Sequence, residues 1–162
     1  MDTTKDITVR RFESGDESDV SQLIIDNLML INSRDYGEKA VRQLARFYSP
    51  PLLLEFAQYG DVYVAVEQSK IVGTAALEQD RVRNVFVRIE HHKRGIGKIL
   101  MQHIEDIARQ QGKVRLALRA SVSAVVFYQK LGYVTVEEIE ESIGDALIKV
   151  IEMAKTDLTR SR

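Results

Sequence analysis

The chain has 162 residues, a formal net charge of -1 and a 44% hydrophobic share, which suits one globular domain with a substantial core. Zero cysteines exclude disulfides, thiolate catalysis and cysteine zinc ligation, and near-neutral charge gives no general pull towards nucleic acid. No apolar run approaches the roughly eighteen residues of a membrane span and residues 1–6 are polar and acidic, so neither membrane nor signal peptide is expected and the cytoplasm is the simplest compartment.

In chain order, residues 7–12 predict a first strand. Ser14, Gly15 and Asp16 turn it into a helix whose inner face carries Val20, Leu23, Ile24, Leu28 and Ile31. A second helix is expected over about 36–47, with Val41, Leu44 and Ala45 inside, before Pro50 and Pro51 break the chain and 52–57 form a short helical piece. Residues 61–66 and 70–77 predict a hairpin about Gln68 and Ser69, followed by a strand near 83–87. Val82, Val85, Phe86 and Val87 read there as buried. Next come His92-Lys93-Arg94-Gly95-Ile96-Gly97-Lys98 and then Ile99, Leu100, Ile104, Ile107 and Ala108 at the spacing of one helix face, stopped by Gly112. The remainder predicts a strand over 114–119, a helix over 123–131 stopped by Gly132, and a last strand pair, 133–138 and 146–153. The acidic run Glu137, Glu138, Glu140 and Glu141 reads as the hairpin end between them, a solvated face. The order predicts an α/β (α+β) fold, a mixed sheet with helices on both faces.

A strand, a basic glycine turn and a helix start make a ready anion site. Glycines let the backbone come close, unpaired amides point outward and the helix dipole favours negative charge. His92, Lys93, Arg94, Gly95, Ile96, Gly97 and Lys98 are therefore the candidates for holding a phosphate-bearing ligand. Arg81, Arg83 and Arg88 enlarge a basic cluster suited to a small polyphosphate rather than a duplex. The dinucleotide fingerprint fails because Leu100 stands at its third glycine, and the P-loop fails at His92 and Ile99. On this segment alone, a glycine turn that merely opens a helix remains the alternative.

A second segment narrows the choice. Residues 121–133, Ser-Val-Ser-Ala-Val-Val-Phe-Tyr-Gln-Lys-Leu-Gly-Tyr, resemble the Asn-x-x-Ala-x-x-Phe-Tyr-x-Lys-Leu-Gly-Phe segment of the GNAT superfamily of N-acetyltransferases. Residues 92–97 resemble that family's pyrophosphate loop, Gln/Arg-x-x-Gly-x-Gly/Ala, with Val87 at the family's separation before Gly95. The resemblance runs over about residues 62–155. His92 replaces the usual Gln or Arg, Ile89 a common proline and Ser121 the frequent Asn.

The resemblance implies a mixed, mostly antiparallel central sheet of about seven strands flanked by helices on both faces. It also implies acetyl-CoA as cosubstrate, a primary amine on a small molecule or peptide as acceptor, and a homodimer as a family-level expectation. Val85 and Val87 would offer backbone groups to the pantetheine arm and carbonyl. Ser121, Ala124, Phe127 and Lys130 would lie beside the cofactor. Tyr128 would serve as the acid for the leaving sulfur, since a phenol near pKa 10 is protonated at neutral pH. With no cysteine to carry an acyl group, direct transfer in a ternary complex is expected.

A base is harder to name. Glu78 is the candidate, with Asp80, His91 and His92 as others, Asn84 as a water-positioning residue, and a water chain as a further route. By resemblance Asp35, Tyr36 and Tyr48 help to cover the acceptor. His91, His92 and His103 show no metal-ligand spacing. The rival reading is a non-catalytic acyl-CoA-binding or regulatory module, which turnover with any amine would separate from the enzyme.

Overall fold

Seven strands form one sheet, in the order β1-β2-β3-β4-β5-β7-β6, in a computed structural model that describes residues 6–158. The strands are β1 (Ile7–Arg11), β2 (Asp61–Glu67), β3 (Lys70–Glu78), β4 (Arg81–Val87), β5 (Leu116–Ala120), β6 (Val134–Ile143) and β7 (Ala146–Lys155). All neighbours run antiparallel except β4 and β5. The helices are α1 (Glu17–Asn27), α2 (Ser33–Tyr36), α3 (Glu38–Ala45), α4 (Pro50–Phe56), α5 (Ile96–Gln110) and α6 (Val125–Lys130).

Apolar residues on both faces of the central strands explain the two layers of helix. Val64 and Ile71 pack with Val20, Leu23 and Ile24 of α1, Val41 of α3 and Leu53 of α4. From the opposite face Ala65, Val72, Ala75 and Leu77 meet Leu100, Met101 and Ile104 of α5. Buried on both sides, β3 reads as an apolar run from Ile71 to Leu77, as a central strand should.

Three local departures from periodicity matter. The helix expected over 36–47 is cut at Gly37, whose φ of +84° ends α2 at Tyr36 and lets α3 begin at Glu38. Before it, Leu28–Asn32 wind as a π-helical segment, so the single helix expected from Asp16 to Ile31 stops at Asn27. The acidic run is no hairpin end. It lies within β6, with the turn at Gly144 and Asp145, because Ile139 and Ile143 pack towards Ala40 and Val150 while Glu138 and Glu141 find Lys149 and Arg119 at 2.9 and 3.1 Å. The strand expected over 114–119 starts instead at Leu116, Val114 being left exposed.

β4 carries the decisive irregularity. Thr74 faces Phe86 and Ala76 faces Arg83, so two residues of β4, Asn84 and Val85, oppose one of β3. Asn84 takes a φ of +56° to make this bulge. The extra residue shifts the side-chain phase. Val82, Val85 and Val87 all point towards the α5 layer, whereas Phe86 joins the α1 layer.

One buried charge ties α5 to the end of α6. Glu105 is only 2% exposed, accepts from Lys155 Nζ at 2.9 Å and from Tyr133 Oη at 3.2 Å, and lies 3.4 Å from Arg109. Lys155 also donates to the Leu131 carbonyl at 2.9 Å. Removing one partner of such a set strands the others. Glu105→Ala is expected to lower unfolding free energy by about 3 kcal/mol, read as a drop in urea midpoint at constant m.

Candidate active site

Past the bulge, β4 and β5 part company. Arg81 and Ala117 make the one register pair between them, and from there the strands diverge around a cleft of about 890 Å³. Val85, Phe86 and Val87 line one wall, and Leu118, Ala120 and Ser121 line the other. Ladder groups on these facing edges are presented to the cleft instead of to a neighbouring strand, an arrangement that suits an extended ligand carrying its own amides.

At one end of the cleft the chain turns through Lys93 and Gly95, with φ of +64° and +83°, into α5. The Ile99 N–H reaches back to the Gly95 carbonyl at 3.1 Å, so the amides of Ile96, Gly97 and Lys98 belong to the open first turn. With Lys93 and Lys98 also in the lining, these donors are the groups that could hold a phosphate. A Cβ on Gly97 would stand 3.1 Å from Phe127 Cζ, so glycine is what lets α5 and α6 close together here.

His92 keeps its place in this turn by side-chain chemistry. Its Nε2 lies 2.8 Å from the Val87 carbonyl, which can only accept, so Nε2 carries the proton. Asn27 Nδ2 donates to the same carbonyl at 2.8 Å and to Leu23 at 2.8 Å. The end of β4 is thereby pinned to α1. Asn27 was not singled out from the sequence, although a polar residue on the apolar face of α1 was a readable signal.

Tyr128 lies against Phe127 and Tyr133 at ring distances of 4.9 and 6.0 Å and lines the cleft. Burial pushes its phenol well above the ordinary value, with Tyr36 adding to the shift, so it stays protonated. No hydrogen bond to its hydroxyl is formed within the described residues. Tyr36 lines the cleft too, within hydrogen-bonding reach of Ser121, and burial together with Asp35 pushes its phenol up to about 12. Ser123 donates to the Asp35 carboxylate. α2 therefore reaches across to the loop between β5 and α6, and Ala124 sits in the lining beside it.

The wall nearer the bulge is ionic. Arg81 donates to Glu152 Oε2 at 2.8 Å, Arg119 reaches Glu141 at 3.1 Å and Glu152 at 4.0 Å, and Tyr48 lies nearby with its phenol raised by burial. This network was not legible in the sequence, because its members come from β4, β5, β6 and β7.

Other candidates fall elsewhere, Asp80 among them, which lines neither the cleft nor the hollow beside it. Arg94 turns to Glu67, its guanidinium nitrogens at 2.6 and 3.1 Å from the carboxylate, and holds that carboxyl below its usual range. It supports the turn rather than lining the cleft. Lys130 is exposed on α6 and outside the lining. Glu78 pairs with Arg83 at 3.1 Å and lines a neighbouring hollow instead. Val85, Val87, His92, Lys93, Gly95, Ile96, Gly97, Lys98, Ser121, Ala124, Phe127 and Tyr128 are brought together.

The sequence profile of the acetyltransferase (GNAT) domain matches residues 32–156. The chain belongs to the GNAT acetyltransferases. Membership makes it an acyltransferase, and the match spans α2 to β7, all of the cleft lining except Asn27, Leu28 and Ile31. A GCN5-related N-acetyltransferase from Rhodopseudomonas palustris shares the fold with a TM-score of 0.87 at 22% identity, over 92% of this chain and 94% of that one. The PaiA N-acetyltransferase from Thermoplasma acidophilum, solved in complex with coenzyme A, gives a TM-score of 0.77 at 18% identity, over 93% and 98%. YyaT, an uncharacterized protein of Bacillus subtilis (strain 168), is 32% identical over 102 residues, 59% of this chain and 66% of YyaT. As a GNAT acetyltransferase the chain has the seven-strand, mostly antiparallel sheet expected of it. Among the described residues no helix is long and apolar enough to cross a membrane.

Proposed function

We propose that this GNAT acetyltransferase takes acetyl-CoA as donor and acetylates a primary amine by direct attack in a ternary complex. The observation that carries the reading is the continuity of one cleft. It takes in the open amides of residues 96–98, the parted edges of β4 and β5, and Tyr128. These groups match the chemistry of a diphosphate, a diamide arm and a sulfur. Bound acetyl-CoA supplies an acetyl thioester.

The chain's own residues then have definable tasks. The first turn of α5, with Lys93 and Lys98, holds the diphosphate by charge-assisted hydrogen bonds. The edges of β4 and β5 fix the arm as a strand would be fixed, and backbone N–H groups about Val85 and Val87 stabilise charge developing on the carbonyl oxygen. Tyr128 Oη keeps its proton until the sulfur departs and then donates it. Amine deprotonation falls to water or to a carboxylate at the cleft, whose lining includes Glu141 and not Glu78.

Isothermal titration of acetyl-CoA and CoA, paired with a thiol-release assay over a panel of amines, tests the reading. Saturable binding of both ligands and amine-dependent thiol release are expected. Binding without release from any amine would favour the non-catalytic acyl-CoA-binding module, and no binding would overturn the cofactor assignment.

A further inference from the structure

A second hollow of about 390 Å³ opens beside the cleft. Its walls are the segment after α3, α4 and the hairpin of β3 and β4. Around it stand three large apolar side chains that the fold leaves in water: Phe47 at 62% exposure, Tyr59 at 66% and Leu52 at 41%. The arrangement is held in place from below. Phe56 meets Tyr59 edge-on at 5.1 Å, and Gly60 leaves room for the Phe56 ring, which would lie 2.8 Å from any Cβ there. Exposed apolar groups scattered singly need no explanation, but three gathered round one concavity mark a surface that an apolar group covers.

Two further observations identify the occupant. The lining sets two carboxylates, Glu55 and Glu78, against one guanidinium, Arg83, which favours a cationic ligand. The hollow also adjoins the cleft, since Tyr48, Arg83 and Asn84 line both. Asn84 is the bulge residue next to Val85, so a ligand seated in the hollow can present one end at the place where the acetyl group is to be transferred. Its volume is that of a pocket for a ring or a short alkyl chain.

We propose that this hollow is the acceptor subsite and that the acceptor is a primary amine with an apolar aromatic or alkyl body. The proposal rests on the N-acetyltransferase reading and narrows it. The ring or chain lies on Phe47, Leu52 and Tyr59, the acidic rim at Glu55 and Glu78 favours entry of the cation, and in the seated ligand the nitrogen lies past Tyr48 and Asn84 at the cleft. An extended polycation without an apolar body would leave the rim uncovered.

The test compares 2-phenylethylamine with ethylamine, by kcat/KM for acetyl transfer and by titration of each amine into the CoA-bound protein. Wild type is expected to prefer 2-phenylethylamine by at least about ten-fold, as burying several apolar carbons demands. In Phe47→Ala and Tyr59→Ala that ratio should collapse towards unity, with acetyl-CoA titration reporting that the variants are folded. Equal use of the two amines by wild type, or a preference that survives both substitutions, overturns the proposal. If neither amine is acetylated, the titration decides. Binding of 2-phenylethylamine that is lost in the variants upholds the subsite and faults the transfer reading alone, whereas no binding overturns the subsite.

Discussion

Gly97→Glu is expected to raise the Kd for acetyl-CoA at least about 100-fold, which is about 2.7 kcal/mol. A carboxylate in the first turn of α5 satisfies the helix dipole, so the helix itself gains slightly. The same carboxylate sits where the proposed diphosphate site lies, adds repulsion to it, and brings a Cβ to within 3.1 Å of the Phe127 ring. Gly97→Ala isolates the steric part, and its smaller loss should leave measurable binding. Circular dichroism checks the fold. Undiminished affinity in folded Gly97→Glu would mean that the turn holds no phosphate.

Tyr128→Phe is expected to cut kcat by about a hundred-fold or more while sparing KM for acetyl-CoA. No hydrogen bond to the Tyr128 hydroxyl exists within the described residues, so its removal strands no partner and the thermal midpoint should hold. The ring contacts to Phe127 and Tyr133 remain. Because burial raises the pKa of this phenol, the wild-type kcat profile should show no descending limb from it below about pH 10. A full rate in the Phe variant would remove Tyr128 from the proton path. Tyr36, another raised phenol in the cleft and in reach of Ser121, would then be the group to replace next.

What could be read from the chain, and what could not, divides by range of interaction. The turn at His92 to Lys98 and the segment from Ser121 to Tyr133 are contiguous, and glycines, a helix start and an aromatic pair declare themselves within a few residues. The bulge at Asn84 was half visible as a polar residue in an apolar strand. Its consequence, a phase shift that points Val85 and Val87 the same way as Val82, needs the register against β3. The Arg81–Glu152 and Arg119–Glu141 pairs join residues far apart in the chain, and no local pattern announces them. Arg94 shows the converse. Its place in a basic turn suggests a phosphate ligand, but Glu67 at the end of β2 takes its guanidinium at 2.6 and 3.1 Å. The acidic run was misread for a related reason. Solvation of charged residues is equally compatible with a turn and with one face of an edge strand, and only Ile139 and Ile143 tell the two apart.

The single pair of facing residues between β4 and β5 has a thermodynamic side. A sheet normally derives cooperativity from continuous pairing, and here the seam through its middle is left open. β1 to β4 and β5 to β7 are therefore joined mainly by the helices α2, α3 and α5 and by the Arg81–Glu152 pair. A ligand threaded through the seam would stand in for the missing rungs. On the acetyl-CoA reading, donor occupancy and resistance to unfolding are one linked equilibrium, worth about 2.7 kcal/mol at a hundred times Kd. Supply of the donor would then govern the lifetime of the enzyme as well as its rate.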